Sequence, residues 1–239
     1  MKIPFVKEWG SWAVFVTSWL AALTAGLLTR PWESGREFVS LTILTIVGLA
    51  FLINSKNPLA AVIRSKGKKN DHIGWFLFFS IVGLLMLVPF LIEGIGEFWP
   101  FSLLIVSYSI LLYKGKEHHI LAELNGFAML TLSAPIIYFA VTGELSLKLY
   151  AAVTIFFAAG VFKVRVRIKK SLFYRWVMAL YCAAACLVFY LLNIALIILL
   201  PLAENIVTAI WMREEKLKTT GYTELLKGLV FIILIGFFW

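Results

Sequence analysis

The chain has 239 residues, 62% of them hydrophobic and 15% charged, with a formal charge of +9. A soluble globular protein is about 45–50% apolar and about 25% charged, so this composition excludes a soluble globule and a disordered chain and points to a lipid bilayer. The chain holds a single Asp, Asp71, and no Gln.

A helix needs about 20 mostly apolar residues to cross a hydrocarbon core of about 30 Å. Runs of this kind predict nine spans, in chain order Trp12–Thr29, Phe38–Ile53, Ile73–Ile92, Phe98–Tyr113, Ile120–Thr142, Leu149–Phe162, Leu172–Leu191, Asn193–Trp211 and Tyr222–Trp239. The second, fourth and sixth are short, so their ends extend into polar flanks or the bilayer thins around them. From Leu172 to Leu202 the chain is almost continuously apolar and too long for one untilted helix; Asn193 takes the turn. The first apolar run follows a short basic segment, lacks a small-residue cleavage site, and reads as a span, not a removable leader. The expected fold class is an all-α integral membrane protein forming one transmembrane domain over residues 1–239.

Basic residues orient the spans, because cytoplasmic loops are enriched in Lys and Arg. With the N-terminus inside, residues 1–11, 54–72, 114–119, 163–171 with Arg175, and 212–227 face the cytoplasm and carry 19 of the 22 Lys and Arg. Only Arg30, Arg36 and Lys148 fall outside. The expected topology is N-in and C-out in the cytoplasmic membrane. The positive charge is then an orientation signal and calls for no nucleic-acid partner. Most Trp residues, among them Trp9, Trp12, Trp99 and Trp239, fall near predicted helix ends, where amphipathic rings favour the interface.

An internal repeat is expected. Glu8-Trp-Gly-Ser-Trp-Ala-Val-Phe-Val-Thr-Ser18 aligns with Glu123-Leu-Asn-Gly-Phe-Ala-Met-Leu-Thr-Leu-Ser133, and basic loops recur after the second and sixth spans. Four helices (about 1–114) are followed by four (about 115–215), with a ninth (about 222–239) appended. An even number of helices separates the halves, so a pseudo-twofold along the membrane normal would relate them.

Ionisable groups within spans are costly and are functional candidates by default. Glu8 and Glu123 open spans at matching repeat positions, with Asn125 beside Glu123 and His118 and His119 just upstream. They either converge on a polar pocket at the cytoplasmic mouth or act as acidic residues favoured in a first helical turn. Glu204 and Asn205 follow Pro201 and read as partners for backbone groups that the proline frees. Asn54, Asn57 and Arg64 follow the second span; Lys163, Arg165, Arg167 and Lys169 follow the sixth, in a stretch whose alternation reads as partly loop. These basic segments either obey the orientation rule alone or form a cationic cradle for an anionic head group. Cys182 and Cys186, in Cys-Ala-Ala-Ala-Cys, read as a small-residue stripe that admits another helix. Three His, none deep in a span, and two Cys make no metal site, and no Gly-rich phosphate loop or nucleophile motif is present.

Three patches carry a family resemblance: Pro4…Lys7-Glu8-Trp9-Gly10-Ser11-Trp12-Ala13, Asn57-Pro58-Leu59…Arg64, and Gly221…Glu224 before the last helix. Together they resemble the YwiC-like family of bacterial and archaeal membrane proteins. The opening is similar to that family's Lys-x-His-Gly-Ala-Trp-Ala, with Trp9 where His is usual and Ser11 where Ala is usual. Any chemistry the family draws from that His is therefore in doubt here. The four-four-one arrangement also looks like the UbiA-type prenyltransferase architecture, in which two Asp-rich motifs hold Mg²⁺ against a polyprenyl diphosphate. One Asp cannot make two such motifs, so that metal-dependent chemistry is not expected.

The reading that follows is a protein with a cytoplasm-facing cavity lined by Glu8, Trp12, Glu123 and Asn125 and rimmed by Asn54, Asn57, Arg64, Arg165 and Arg167. It would bind an isoprenoid, quinone-like or anionic lipid, with no metal or other cofactor. The alternative is a non-catalytic subunit or anchor of a membrane (respiratory) complex that binds partner subunits. A small-solute transporter stands third, because polar residues deep in the predicted spans are few.

Overall fold

A computed structural model describes residues 9–29, 36–64, 70–116, 119–211 and 217–239. The described residues are helical throughout, without strands: α1 (Trp9–Thr29), α2 (Arg36–Arg64), α3 (Asn70–Phe98), α4 (Ser102–Tyr113), α5 (Ile120–Thr131), α6 (Ser133–Thr142), α7 (Leu147–Lys169), α8 (Leu172–Leu191), α9 (Ala203–Ile210) and α10 (Leu217–Phe238). Two 3-10 segments, Trp99–Phe101 and Leu196–Leu202, precede α4 and α9. Seven of these stretches are long and apolar enough to cross a membrane, and Leu196–Ile210 is a shorter apolar helix.

Two expectations about loops are corrected. α2 continues past Ile53 through Pro58 to Arg64, so Asn54 and Asn57 are helical. α7 continues to Lys169, so the alternating basic run is helix and not loop. An uninterrupted helix satisfies its own backbone groups wherever lipid offers no partner, and the basic side chains sit on the turns that reach beyond the apolar run. At 3.6 residues per turn, Lys163 and Arg167 share one face and Arg165 and Lys169 another. Lys170 ends α7 in a left-handed conformation, φ 47°, its N–H donating to Val166 O at 3.0 Å. The expected turn is at Asn193, φ 52°, where the N–H of Ile194 donates back to Phe189 O at 2.8 Å. Asn tolerates this region better than most residues.

The centre of the bundle is α1, α5–α6 and α7. Half of the apolar window in Ile120–Thr142 and in Leu147–Lys169 is buried, against 22% in Leu172–Leu191. Small residues let these helices approach: Ala21, Ala22 and Ala25 of α1 and Ala152 and Ala159 of α7 are fully buried. α8 packs along one stripe only, Met178, Cys182, Ala185 and Phe189, with Cys186 exposed. Phe231 of α10 stacks on Phe156 of α7 with ring centroids 3.9 Å apart.

The His72–Tyr113 stretch is 42 residues long, about twice a bilayer's requirement, and is interrupted at Trp99–Phe101. Its contacts descend along α5–α6. Phe98 packs on Phe139, Phe101 on Tyr150, and the amide of Asn125 donates to Leu104 O at 3.2 Å.

α2 and α3 cross where Gly48 meets Gly83. A Cβ on Gly83 would lie 2.9 Å from the Gly48 carbonyl oxygen, a backbone atom that cannot swing aside. Gly83→Ala should therefore destabilise by about 1–3 kcal/mol through overpacking, despite alanine's better helix propensity. Thermal unfolding in detergent would check this, and an unchanged midpoint would mean the helices separate freely.

Candidate functional site

Four charged side chains from three helices meet inside the bundle. Lys163 on α7 has no exposed surface, and its ammonium donates to Glu204 Oε2 at 2.6 Å and to Glu224 Oε1 at 2.9 Å. Lys227, one turn beyond Glu224 on α10, donates to Glu224 Oε1 at 2.7 Å and to Glu204 Oε2 at 3.4 Å. Lys227 also donates to Asn205 Oδ1, and Thr208 Oγ1 donates to Glu204 Oε1 at 2.9 Å. Two cations and two anions make the cluster neutral. Buried charges carry a desolvation penalty of several kcal/mol per ion, offset only by close pairing.

The positions follow from local sequence. Glu204 and Asn205 open α9 immediately after the 3-10 segment that contains Pro201, and Thr208 lies one turn on, beside Glu204. Glu224 and Lys227 are an i,i+3 pair on one face of α10. Lys163 follows the buried Gly160 and lies among Phe162 and Val166.

A cavity of about 290 Å³ adjoins the cluster, at the small end of ligand pockets, about 300–1,000 Å³. It lies between α1, α5, α7 and α10, and its walls include Gly10, Phe127, Phe157, Gly160 and Gly221. Among the described residues, Glu224 is the only charged one lining it; Thr17 and Thr220 supply hydroxyls. Thr17 spends its hydroxyl on Ala13 O at 2.6 Å.

The residues expected to line a pocket are placed differently. Glu8 lies outside the described residues, as does His118. Trp12 is half-buried and packs edge-on against Phe15, and it does not line the cavity. Glu123 pairs with Arg165, whose Nη2 lies 2.9 Å from Glu123 Oε2 and whose Nε donates to the same oxygen at 3.0 Å. The Asn125 amide donates to Ser107 Oγ and Leu104 O. Asn54 is buried and donates to Ala50 O at 2.9 Å. Asn57 and Arg64 occupy the last turns of α2, and Arg167 lies on α7; none of these lines the cavity. His119 caps α5, its Nδ1 accepting from the Leu121 N–H at 3.3 Å.

Sequence reasoning placed Glu204 and Asn205 as a pair in a span but missed what they meet. Lys163 reads as the first residue of a basic loop, and Lys227 as one of the inside cations. Glu224 enters only through its resemblance patch. One signal was available: Glu224 and Lys227 lie inside an apolar helix at a spacing that makes them neighbours.

The fold and this cluster define a multi-pass helical membrane protein with ionisable groups among its spans. Residues 5–138 match the YwiC-like protein family. That is more than half of the chain, and the protein belongs to this family. No curated protein and no solved structure matches it. The matched segment covers α1 to most of α6, so the four clustered charges all lie beyond it.

Removing one member of a buried pair leaves its partners uncompensated. Lys163→Met should cost about 3–5 kcal/mol of stability, and adding Glu204→Gln should recover part of that loss. A double-mutant cycle on unfolding midpoints would measure the coupling; strict additivity would show that the two do not act together.

Proposed function

We propose that this protein crosses the cytoplasmic membrane nine times, N-in and C-out, and binds an isoprenoid or quinone-like lipid in the cavity between α1, α5, α7 and α10. The single observation that carries the ligand reading is that cavity: apolar walls ending on one carboxylate, itself held by a neutral ion cluster. Ligand sites commonly combine mostly apolar walls with a few placed polar groups. The lining belongs to the first turns of α1 and α10 and the second half of α7. Under the proposed topology this is the cytoplasmic half. The Asp-poor sequence supports a binder, or a metal-independent enzyme, over Mg²⁺-dependent prenyl transfer.

Nine spans follow from the seven long helices if the 42-residue stretch counts as two and Leu196–Ile210 crosses with the 3-10 segment that opens it. The descent of α4 beside α5 supports a reversal at Trp99–Phe101. The proposed four-helix repeat would carry α1 onto α5–α6, and these helices are in contact: Ser133 Oγ donates to Phe15 O at 3.4 Å. An anchor that only binds partner subunits needs no internal cavity, so the cavity favours the ligand reading over it.

The cluster does favour a second reading, a solute transporter. Four charges inside the bundle overturn the premise that deep polar groups are few. A transporter predicts Glu224-dependent solute or proton flux in proteoliposomes, which a lipid binder would not produce.

Two measurements check the proposal. With Cys182 and Cys186 replaced by Ala, Glu97→Cys should react with a membrane-impermeant maleimide in intact cells and Lys114→Cys should not; equal labelling would sink the nine-span topology. Mass spectrometry of gently solubilised protein should find an apolar lipid retained near equimolar amounts. Gly160→Leu, which fills the cavity, should abolish that retention, and unchanged retention would place the lipid elsewhere.

A further inference from the structure

The cavity's polar end has an unequal inventory of hydrogen-bonding atoms. Glu224 Oε1 accepts from both Lys163 and Lys227, at 2.9 and 2.7 Å. Glu224 Oε2 makes no hydrogen bond with the described residues. It lies 3.5 Å from where a Cβ on Gly160 would stand, on the side that Gly160 leaves open to the cavity. Thr220, one turn before Glu224 and on the same face of α10, also lines the cavity. Its hydroxyl is buried, with 2% of the residue exposed, and has no partner among the described residues. Buried polar atoms in native proteins are nearly always satisfied, so the Thr220 hydroxyl awaits a group from an occupant, and Glu224 Oε2, on a side chain 30% exposed, is open to the same space.

We propose that the occupant is a hydroxyl-bearing lipid, a prenyl alcohol or the hydroquinone form of a prenylated ring, whose O–H donates to Glu224 Oε2 while its oxygen accepts from Thr220 Oγ1. This rests on the cavity being the ligand site. A carboxylate only accepts, and its free oxygen needs a donor. An ether or ketone oxygen would satisfy Thr220 and leave Glu224 Oε2 unpaired. A phosphate would face the carboxylate directly, while the two ammonium groups are already committed to Glu204, Glu224 and Asn205. The cluster's neutrality leaves no net positive charge to draw an anion. The anionic-lipid alternative is thereby set aside at this site. Gly160 and Gly221 act as positioning residues by leaving space beside the two polar groups.

The test uses the purified full chain in detergent with five probes: a C15 isoprenoid alcohol, its methyl ether, its monophosphate, a prenylated hydroquinone and that hydroquinone's dimethyl ether. Affinities come from competition against a radiolabelled form of the alcohol. Each hydroxyl compound should bind at least about tenfold more tightly than its ether, the advantage of a hydrogen bond to a charged acceptor, and the alcohol should also outcompete the monophosphate. The tighter of the two hydroxyl probes identifies an aliphatic or a phenolic ligand. Thr220→Val should weaken the alcohol and its ether alike, several-fold, because both oxygens accept from Thr220 Oγ1, and Thr220→Ser should restore both. If ethers bind as well as hydroxyl compounds, or the monophosphate binds best, the hydroxyl inference is overturned while the cavity remains the ligand site. If no probe binds, or if binding survives Gly160→Leu, the cavity reading itself fails.

Discussion

Charge balance in an apolar interior is the constraint on which the rest of this structure turns. Lys163 is fully buried and Lys227 is nearly so, with 6% of the residue exposed. Each ammonium must find carboxylates, and the carboxylates come from two other elements, Glu204 on α9 and Glu224 on α10. The cluster therefore ties α7, α9 and α10 together at one level of the bundle. It gives the short Leu196–Ile210 segment a fixed partner, which its length alone would not provide. Arg175 on α8 adds to this by donating to the Ala209 and Ile210 carbonyls, the last acceptors of α9.

Around the cluster, packing follows side-chain size. In lipid the association of helices depends on close packing, since tails are as apolar as leucine. Alanines at the centre of α1 and α7 bring those helices together, and Gly48 and Gly83 do the same for α2 and α3. At one end of the bundle the small residues have the opposite effect. Around Gly10 and Gly221 no described atom lies within 4 Å of where a Cβ would stand, around Gly160 only Glu224 Oε2 does, and the space left is the cavity. Its chemistry comes from the cluster: ion pairing uses one oxygen of Glu224 and leaves the other toward the cavity. The tie that holds three helices together therefore also prepares a binding atom.

Much of the fold was legible in the linear pattern. Apolar runs located most helices within a few residues, Ile120–Thr142 among them, because burial in lipid demands length and apolarity and little else. The turn at Asn193 was legible because one polar residue interrupts a run too long for a single helix. The helix ends at Arg64 and Lys169 were not, because basic residues read as loop whether they extend into water or continue a helix. Lys163 was misread on the same ground. Counted as an inside cation, it contributed to the orientation arithmetic, yet its charge is consumed inside the bundle.

The candidate site divides along the same line. Glu123 and Arg165 were both singled out as polar groups near a membrane surface, and they face one another across α5 and α7. Composition and periodicity by themselves determined that this chain is a multi-pass helical membrane protein, because hydropathy and helix length are properties of contiguous residues. Which charges neutralise which, and where a gap between helices remains open, were decided only by the tertiary structure. Residues 163, 204, 224 and 227 lie up to 64 positions apart (227 − 163) and are joined only when α7, α9 and α10 pack. Electrostatic pairing depends on distance in space, and no one-dimensional pattern encodes that.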